Sequence, residues 1–171
     1  MDREKKAEKV WYALYVKSRT EKKVAVELEG TGIDFYLPLE KRIRQWSDRK
    51  KWVEVPLFRS YIFVYITQKE YYKVLQTQGV MKFISFEGKA VPVPQQQIDA
   101  VKIYLTEMDP LLQEDQPWEE GKEVEVMAGK LTGLKGILIQ AKGKNRVRVE
   151  IDVVGSAIIL NIPRKQLRII G

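Results

Sequence analysis

The fold is organised around residues 56–66, whose sequence is PLFRSYIFVYI. In a β-strand successive side chains point to opposite faces of the sheet. The aliphatic residues of the second half therefore fall on one face, and Tyr61, Phe63 and Tyr65 fall on the other. We expect the aliphatic face to be core. The aromatic face is either a second buried layer, because buried strands are apolar on both faces, or a docking surface that stays partly open.

The composition predicts a globular protein with one ordinary domain or two small ones. The chain has 171 residues, of which 44% are hydrophobic and 31% charged. No apolar run reaches the roughly 18 residues that a membrane span needs. The charged segment from Met1 to Lys9 lacks the apolar centre of a signal peptide. We therefore expect a cytoplasmic protein with no membrane partner.

Two residue types that carry much of protein chemistry are missing, since the chain contains no cysteine and no histidine. A thiolate metal site is excluded, and so are the commonest general base and metal ligand. Paired acidic motifs, a phosphate-binding loop and a Gly-x-Ser-x-Gly motif are absent from the sequence. The sequence therefore predicts a protein that is not an enzyme and binds no cofactor or metal.

The positive charge is concentrated in two modules separated by an acidic segment. Residues 1–108 contain 20 basic against 14 acidic side chains, which gives +6. Residues 109–120 contain five acids and no base, and residues 121–171 contain ten bases against four acids. Basic modules favour a polyanionic partner such as RNA or DNA. The alternative is a basic surface that serves solubility alone.

Strand and helix patterns alternate before residue 108 and predict an α/β sandwich. Thr20 is placed to cap a helix that ends at Gly30. Thr67 and Glu70 form a capping-box pattern that predicts a second helix, which ends at Gly79. The remaining predicted elements are strands at 11–17, 33–37, 56–66 and 80–86, an extended segment at 91–94, and a last helix through 98–108.

Residues 41–52, KRIRQWSDRKKW, predict a hairpin that turns at 47–50 and carries Trp46 and Trp52 on its arms. The segment contains six cations and one anion. Cations interleaved with tryptophans suit contact with phosphates and stacking on an unpaired base. The alternative is a solvated hairpin with a cross-strand tryptophan pair.

The pattern after residue 121 contains only strands. Glycines recur at 129, 133 and 136, and five short strands follow one another in about 50 residues. This spacing predicts a small closed barrel.

Two groups of segments resemble a known family. VEVMAGKLTGLKG at 124–136 resembles the KOW motif. WYALYVK at 11–17, PLFRSYIFV at 56–64 and GVMKF at 79–83 resemble the N-terminal domain of NusG-type transcription elongation factors. The resemblance implies an α+β fold: an N-terminal α/β sandwich (1–108), an acidic linker (109–120) and a small all-β KOW barrel (121–171).

Small departures from the generic pattern favour a specialised member of the family, similar to UpxY proteins or RfaH. Arg59 replaces the proline that usually follows the Pro-Leu-Phe segment. Gly129-Lys130-Leu131 replaces the Gly-Pro-Phe whose aromatic ring helps the family bind Rho or a ribosomal protein. Leu131 therefore argues against those two partners.

The resemblance also implies binding sites. Residues matching the patch that binds the clamp helices of the RNA polymerase β′ subunit are Tyr15, Phe58, Tyr61 and Phe63. Tyr72 lies near the segment that in RfaH meets the β gate loop. Residues expected to face upstream DNA or the non-template strand are Lys17, Arg19, Arg42, Arg44, Arg49, Lys50, Lys51 and Gln78. Residues expected to bind a partner of the KOW barrel, including nascent RNA, are Leu131, Arg146 and Arg148.

The implied function is antitermination by a monomer that holds the polymerase clamp closed. Two alternatives stay open at this point. One is the generic NusG, which supports Rho termination. The other is an RNA-binding or ribosome-associated protein that uses its KOW barrel and does not need Tyr61 or Phe63.

Overall fold

The computed structural model describes residues 7–107, 121–141, 144–151, 154–162 and 164–171. The elements in chain order are β1 (Val10–Val16), α1 (Glu21–Gly30), β2 (Asp34–Tyr36), β3 (Leu39–Gln45), β4 (Lys50–Pro56), β5 (Tyr61–Ile66), α2 (Tyr71–Leu75), β6 (Val80–Phe83), β7 (Ser85–Phe86), β8 (Lys89–Ala90), β9 (Pro92–Val93), α3 (Gln95–Glu107), β10 (Glu123–Val126), β11 (Lys135–Ala141), β12 (Lys144–Ile151), β13 (Ser156–Leu160) and β14 (Leu167–Ile169). The predicted acidic linker and Met108 lie outside the described residues.

The chain divides into two compact units, each assembled from separate segments. The first contains the described residues up to Pro38 together with Pro56–Val93. The second contains Leu39–Val55 and the described residues from Pro94 onward. Helix α3 and the β3–β4 hairpin thus belong to the same unit as the C-terminal strands. The predicted domains, 1–108 and 121–171, follow a different division and stay a prediction.

The first unit is built on an antiparallel sheet in the order β2-β5-β1-β6. Strand β5 pairs with β1 from Tyr61 opposite Tyr15 to Ile66 opposite Val10. Strand β9 also pairs with β1, near its start. The stretch that organises the fold is therefore an inner strand.

One face of this sheet is the core of the first unit, as the aliphatic alternation predicted. Helices α1 and α2 and the loop before β2 contribute the other side of the cluster. Burial of each large aliphatic side chain stabilises the fold by about 1.5–3 kcal/mol. The buried residues of the cluster are Tyr12, Leu14, Val16, Val24, Leu28, Ile33, Ile62, Val64, Ile66, Val74 and Phe83.

The predicted Thr20 cap is wrong in its chemistry. Helix α1 begins at Glu21, and the Thr20 hydroxyl donates to the Lys17 carbonyl at 2.5 Å rather than accepting from the helix. The capping box is confirmed, because the Thr67 N–H donates to Glu70 Oε2 at 2.8 Å. It opens a single 3₁₀ turn that leads into α2.

The strand predicted at 80–86 is interrupted at Ile84. The Ile84 N–H donates to the Ala13 carbonyl at 2.9 Å, and the Val91 N–H donates to the Ile84 carbonyl at 3.0 Å. The intervening residues form the short β7–β8 hairpin. Its turn uses the positive φ angles of Glu87 (49°) and Gly88 (76°), which a two-residue hairpin of this kind needs.

The hairpin predicted at 41–52 is present as β3 and β4. Trp46 lies in its loop rather than on an arm, and its N–H donates to the Arg49 carbonyl at 2.7 Å. Trp46 and Trp52 make no ring contact with each other. The cross-strand tryptophan pair of the alternative interpretation is therefore not formed.

All five strands predicted after residue 121 are present. They form an antiparallel sheet in the order β13-β12-β11-β10-β14. Within the part of the chain that is described, β13 and β14 are the edge strands of this sheet, and they do not pair with each other to close it into a barrel. Helix α3 packs against β12 and β13, and buries Ile98, Ala100 and Val101.

No described helix combines the length and the apolar character that crossing a bilayer requires.

Candidate functional site

The sheet face opposite the core carries the aromatic residues that the sequence singled out. The pairing register places Trp11 opposite Tyr65, Ala13 opposite Phe63 and Tyr15 opposite Tyr61. Directly opposed residues of an antiparallel pair project from the same face. We call these six residues the aromatic face.

The centre of the aromatic face is buried. Ala13 and Phe63 are completely buried, and Phe58 is 5% exposed. The Phe58 ring meets the Phe63 ring edge-to-face, with 6.1 Å between centroids. In this conformation Phe58 and Phe63, predicted to contact the polymerase, are therefore packing residues.

The two ends of the aromatic face are partly open. Tyr15 is 37% exposed and meets the half-buried Tyr61 edge-to-face at 5.7 Å. Trp11 stacks on Tyr65 at 5.0 Å at the other end. Tyrosine and tryptophan offer a large apolar area at low entropic cost, so such pairs make good interface anchors.

A cation borders the Tyr15 end of the face. Lys82 is opposite Tyr15 in the β1–β6 register, and its Nζ lies 6.0 Å from the Tyr15 ring centroid. The register shifts beside Tyr15, which leaves Met81 as an extra residue on β6 with 61% exposure. Sequence reasoning missed both residues, because a bulge on one strand depends on its pairing with another.

Tyr72 does not belong to the aromatic face. It is 73% exposed on α2 and meets Tyr71 edge-to-face at 5.4 Å. The Tyr71 ring stacks at 4.3 Å on Phe83, which is part of the core cluster. Tyr72 therefore lies on the helical side of the sheet, while Tyr15 and Tyr61 project from the other.

Three of the predicted nucleic-acid contacts come together in the first unit. The Lys17 N–H donates to the Gly79 carbonyl at 2.9 Å, which brings the end of β1 beside Gln78. Gly79 has φ +92°, and a Cβ there would lie 2.7 Å from Val24 Cγ2. Lys17, Arg19 and Gln78 are all exposed.

The other predicted nucleic-acid contacts lie on the β3–β4 hairpin of the second unit and are exposed. They are Arg42, Arg44, Arg49, Lys50 and Lys51. The Arg42 guanidinium forms an ion pair with Glu40 Oε1, although this oxygen lacks a partner with hydrogen-bond geometry. Glu40 is 4% exposed, so its charge is buried at the root of the hairpin.

The residues predicted to bind a partner of the C-terminal module differ in exposure. Leu131 is 6% exposed and lines a cavity of about 260 Å³ with Ile103, Val126 and Leu160. Arg148 is half-buried. The Arg146 backbone pairs with Ile139, and its side chain lies outside the described residues. Leu131 in this conformation is a packing residue.

The described residues contain no cluster of three or more acidic side chains that could hold a metal ion.

The protein is of the mixed α and β class: an N-terminal antiparallel sheet carries helices on its core face, and a β-rich module follows in the chain. Residues 9–102 match the family model described as "Transcription termination factor nusG". The chain therefore belongs to the NusG family of transcription factors. No protein of curated function matches the sequence significantly.

Among the solved structures that match the chain, two align over most of its length. The first, described as "Domain interaction in Thermotoga maritima NusG", has a TM-score of 0.51 and 21% identity. That match covers 96% of this chain and 98% of the other. The MjSpt4:Spt5 complex has a TM-score of 0.32 and 19% identity, covering 94% of this chain and 96% of the other.

Proposed function

We propose that this protein is a specialised NusG-type elongation factor that binds the RNA polymerase clamp and suppresses pausing and termination. The observation that carries the proposal is the half-open Tyr15–Tyr61 pair at one end of an aromatic face with a buried centre, in a NusG-family chain. A partly exposed aromatic pair on two adjacent inner strands provides an apolar anchor that loses little side-chain entropy on binding.

Tyr15 and Tyr61 contact the β′ clamp helices in this proposal, and Lys82 lies at the rim beside Tyr15. Phe58 and Phe63 support the anchor from within, because the Tyr61 N–H donates to the Phe58 carbonyl at 3.3 Å and the Phe58 ring packs edge-to-face on Phe63. Either phenylalanine reaches the polymerase only if the residues that cover it move away. Tyr72 lies on the opposite side of the sheet and is available for the β gate loop.

The effect on transcription is a shift between polymerase states. A factor that binds the closed clamp more tightly than the open one raises the population of the closed, elongating state. No chemical step by the protein is required. Suppression of pausing and of premature termination then depends on this difference in affinity alone.

The exposed cations bind DNA upstream of the polymerase or the non-template strand. Lys17 and Arg19, with the neutral Gln78 beside them, form one group, and the hairpin cations form the other. Contacts to phosphates displace counterions, so affinity falls steeply as salt rises. Sequence selection requires unstacked bases in addition.

The C-terminal module provides a second contact, to nascent RNA, Rho or a ribosomal protein. The burial of Leu131 argues against the last two in this conformation. The Thermotoga maritima NusG structure is described as a domain interaction.

The test is binding to a reconstituted elongation complex. The Tyr15→Ala/Tyr61→Ala double variant is expected to bind at least about tenfold more weakly than the wild type, since two anchor residues are removed. Phe86→Ala, which removes a 71% exposed aromatic ring outside the aromatic face, is the matched control and keeps wild-type binding. Circular dichroism confirms that each variant is folded. Equal binding by the double variant overturns the proposed anchor.

The generic NusG function is the second candidate, because the matching family model is described as a termination factor. Readthrough at a Rho-dependent terminator separates the two. A rise in readthrough on adding the protein supports antitermination, and a fall supports the generic function.

A further inference from the structure

We propose that the β3–β4 hairpin is a site for single-stranded nucleic acid, in which Trp46 and Trp52 stack on unpaired bases. This inference rests on the proposed DNA contacts of the hairpin cations. It adds that the hairpin binds an unpaired strand in preference to a duplex.

The hairpin exposes apolar rings that nothing in the described chain covers. Every residue from Lys41 to Trp52 is exposed. Trp46 is 54% exposed, Trp52 is 50% exposed and Ile43 is 44% exposed. Exposed aromatic side chains grouped on one short ribbon are typical of a binding surface rather than of a solvated turn.

Most of the positive charges around these rings have no acidic partner within ion-pair distance in the described residues. Arg42 is paired with Glu40 at the root. The other five cations of the hairpin have no acidic partner within ion-pair distance in the described part of the chain. These five are Lys41, Arg44, Arg49, Lys50 and Lys51. A polyanion supplies the missing negative charge.

The ribbon is buried at its root, while its tip is exposed. Glu40 is buried, and the pKa of the Tyr104 phenol on α3 is raised first by burial and then by the charge of Glu40. Glu40 and α3 are therefore close neighbours. The loop is closed by the Trp46 N–H to Arg49 carbonyl bond and by a 3.3 Å bond from Gln45 Nε2 to the Trp46 carbonyl. The rings are thus presented on a defined backbone rather than on a free loop.

Single-stranded nucleic acid fits both features of this surface. Phosphates meet the cations, and the free faces of unpaired bases stack on the indole rings. A duplex offers the phosphates but buries its base faces in its own stack. An anionic membrane would also meet the cations, and binding to vesicles of anionic lipid distinguishes it from the single strand.

The experiment measures fluorescence anisotropy of a labelled 12-nucleotide mixed-sequence single strand and of the matching duplex, with the full chain and without polymerase. The wild type is expected to bind the single strand about tenfold or more tightly than the duplex. Trp46→Ala/Trp52→Ala is expected to lose this preference, with little change in duplex binding. Trp46→Phe/Trp52→Phe retains most of it, because a smaller aromatic ring still stacks.

A charge variant provides the complementary control. Arg49→Gln/Lys50→Gln/Lys51→Gln weakens binding of both nucleic acids. It also makes the negative slope of log affinity against log salt shallower by about two for the single strand, at roughly 0.7 for each phosphate that is no longer neutralised. Its remaining binding still favours the single strand.

Three results overturn the inference. They are equal affinity of the wild type for strand and duplex, an unchanged preference in the alanine variant, and tryptophan-dependent binding to vesicles of anionic lipid that exceeds binding to the single strand. The proposed polymerase contact is tested separately with core polymerase that holds no nucleic acid. Loss of binding there by Tyr15→Ala/Tyr61→Ala, but not by the tryptophan variant, shows that the two surfaces act independently.

Discussion

Position 136 requires glycine because no other side chain has room there, and not because of its backbone conformation. A Cβ on this residue would lie 2.5 Å from the Arg148 carbonyl oxygen and 2.7 Å from Val147 Cγ1 on the neighbouring strand β12. Gly136→Ala is therefore expected to destabilise the fold by about 1–3 kcal/mol or more. Urea unfolding followed by circular dichroism measures the loss.

Gly30→Ala is the matched control for this change. Gly30 lies in α1 with nothing within 4 Å of a Cβ. Alanine there is expected to leave stability unchanged or to raise it by about 0.5–1 kcal/mol. If Gly136→Ala is as stable as Gly30→Ala, β11 and β12 do not approach as closely as described.

Glu21 fixes the backbone that leads into β5. Its Oε1 accepts a 2.9 Å hydrogen bond from the Ser60 N–H, and both residues are buried. Ser60 has φ +66°, a conformation that non-glycine residues rarely adopt. Glu21→Ala leaves this N–H without its acceptor and is expected to cost about 1–3 kcal/mol. Glu21→Gln, which keeps an acceptor oxygen, restores most of the stability in thermal unfolding if the hydrogen bond is the cause.

Strand β5 carries residues with two different roles on the same face. Phe63 is completely buried, so Phe63→Ala is expected to lower the free energy of unfolding by about 3–5 kcal/mol. Tyr61 is half-buried, so Tyr61→Ala should cost clearly less while weakening polymerase binding. Chemical denaturation compares the two variants. Similar losses would mean that Tyr61 is also a core residue and not an available anchor.

The alternation in residues 56–66 predicted the strand and its two faces, but not which aromatic residues stay open. Exposure of Tyr61 and burial of Phe63 depend on the register with β1, which sets Ala13 against Phe63 and Tyr15 against Tyr61. Register is a property of two strands, and a single strand pattern does not contain it. The Thr20 cap failed for a related reason, since the hydroxyl had a second acceptor available in the Lys17 carbonyl.

The β3–β4 hairpin was predicted more accurately than the exposure of the aromatic residues, because a turn depends mainly on residues that are neighbours in the sequence. A cluster of polar residues at 47–50 between two strand-forming segments was sufficient to predict it. The position of Trp46 in the loop was not predictable, since it depends on where the last ladder bond forms.

Packing groups the segments of the molecule differently from the domains predicted from charge, which stay a prediction. The acidic segment at 109–120 marks a boundary in composition, yet α3 groups with the strands that follow that segment. The reason is packing, since Ile98, Ala100 and Val101 are fully buried on this helix. The helical spacing of apolar residues predicted that α3 would bury one face, but it did not indicate against which element.

The stability of the whole molecule should depend weakly on pH near neutrality and fall at alkaline pH. The chain contains no histidine and no cysteine, the side chains whose ordinary pKa values lie nearest neutrality. Burial raises the pKa of Tyr36 to about 12, and burial followed by the charge of Glu40 raises the pKa of Tyr104. A raised phenol pKa means that the folded state keeps its proton after the unfolded state has lost it. The contribution is thus fully present below about pH 10 and is lost as the pH rises toward 12.

Tyr36→Phe isolates one of these groups, because phenylalanine has no proton to lose. Urea midpoints of the wild type and the variant are measured between pH 7 and 11. The wild type is expected to lose stability above pH 10 more steeply than the variant, since in this range its unfolded state binds fewer protons than its folded state. Lysine deprotonation affects both proteins alike and cancels in the comparison. Parallel curves for the two proteins would show that the Tyr36 hydroxyl is hydrated in the folded state, and that β2 is less well covered than described.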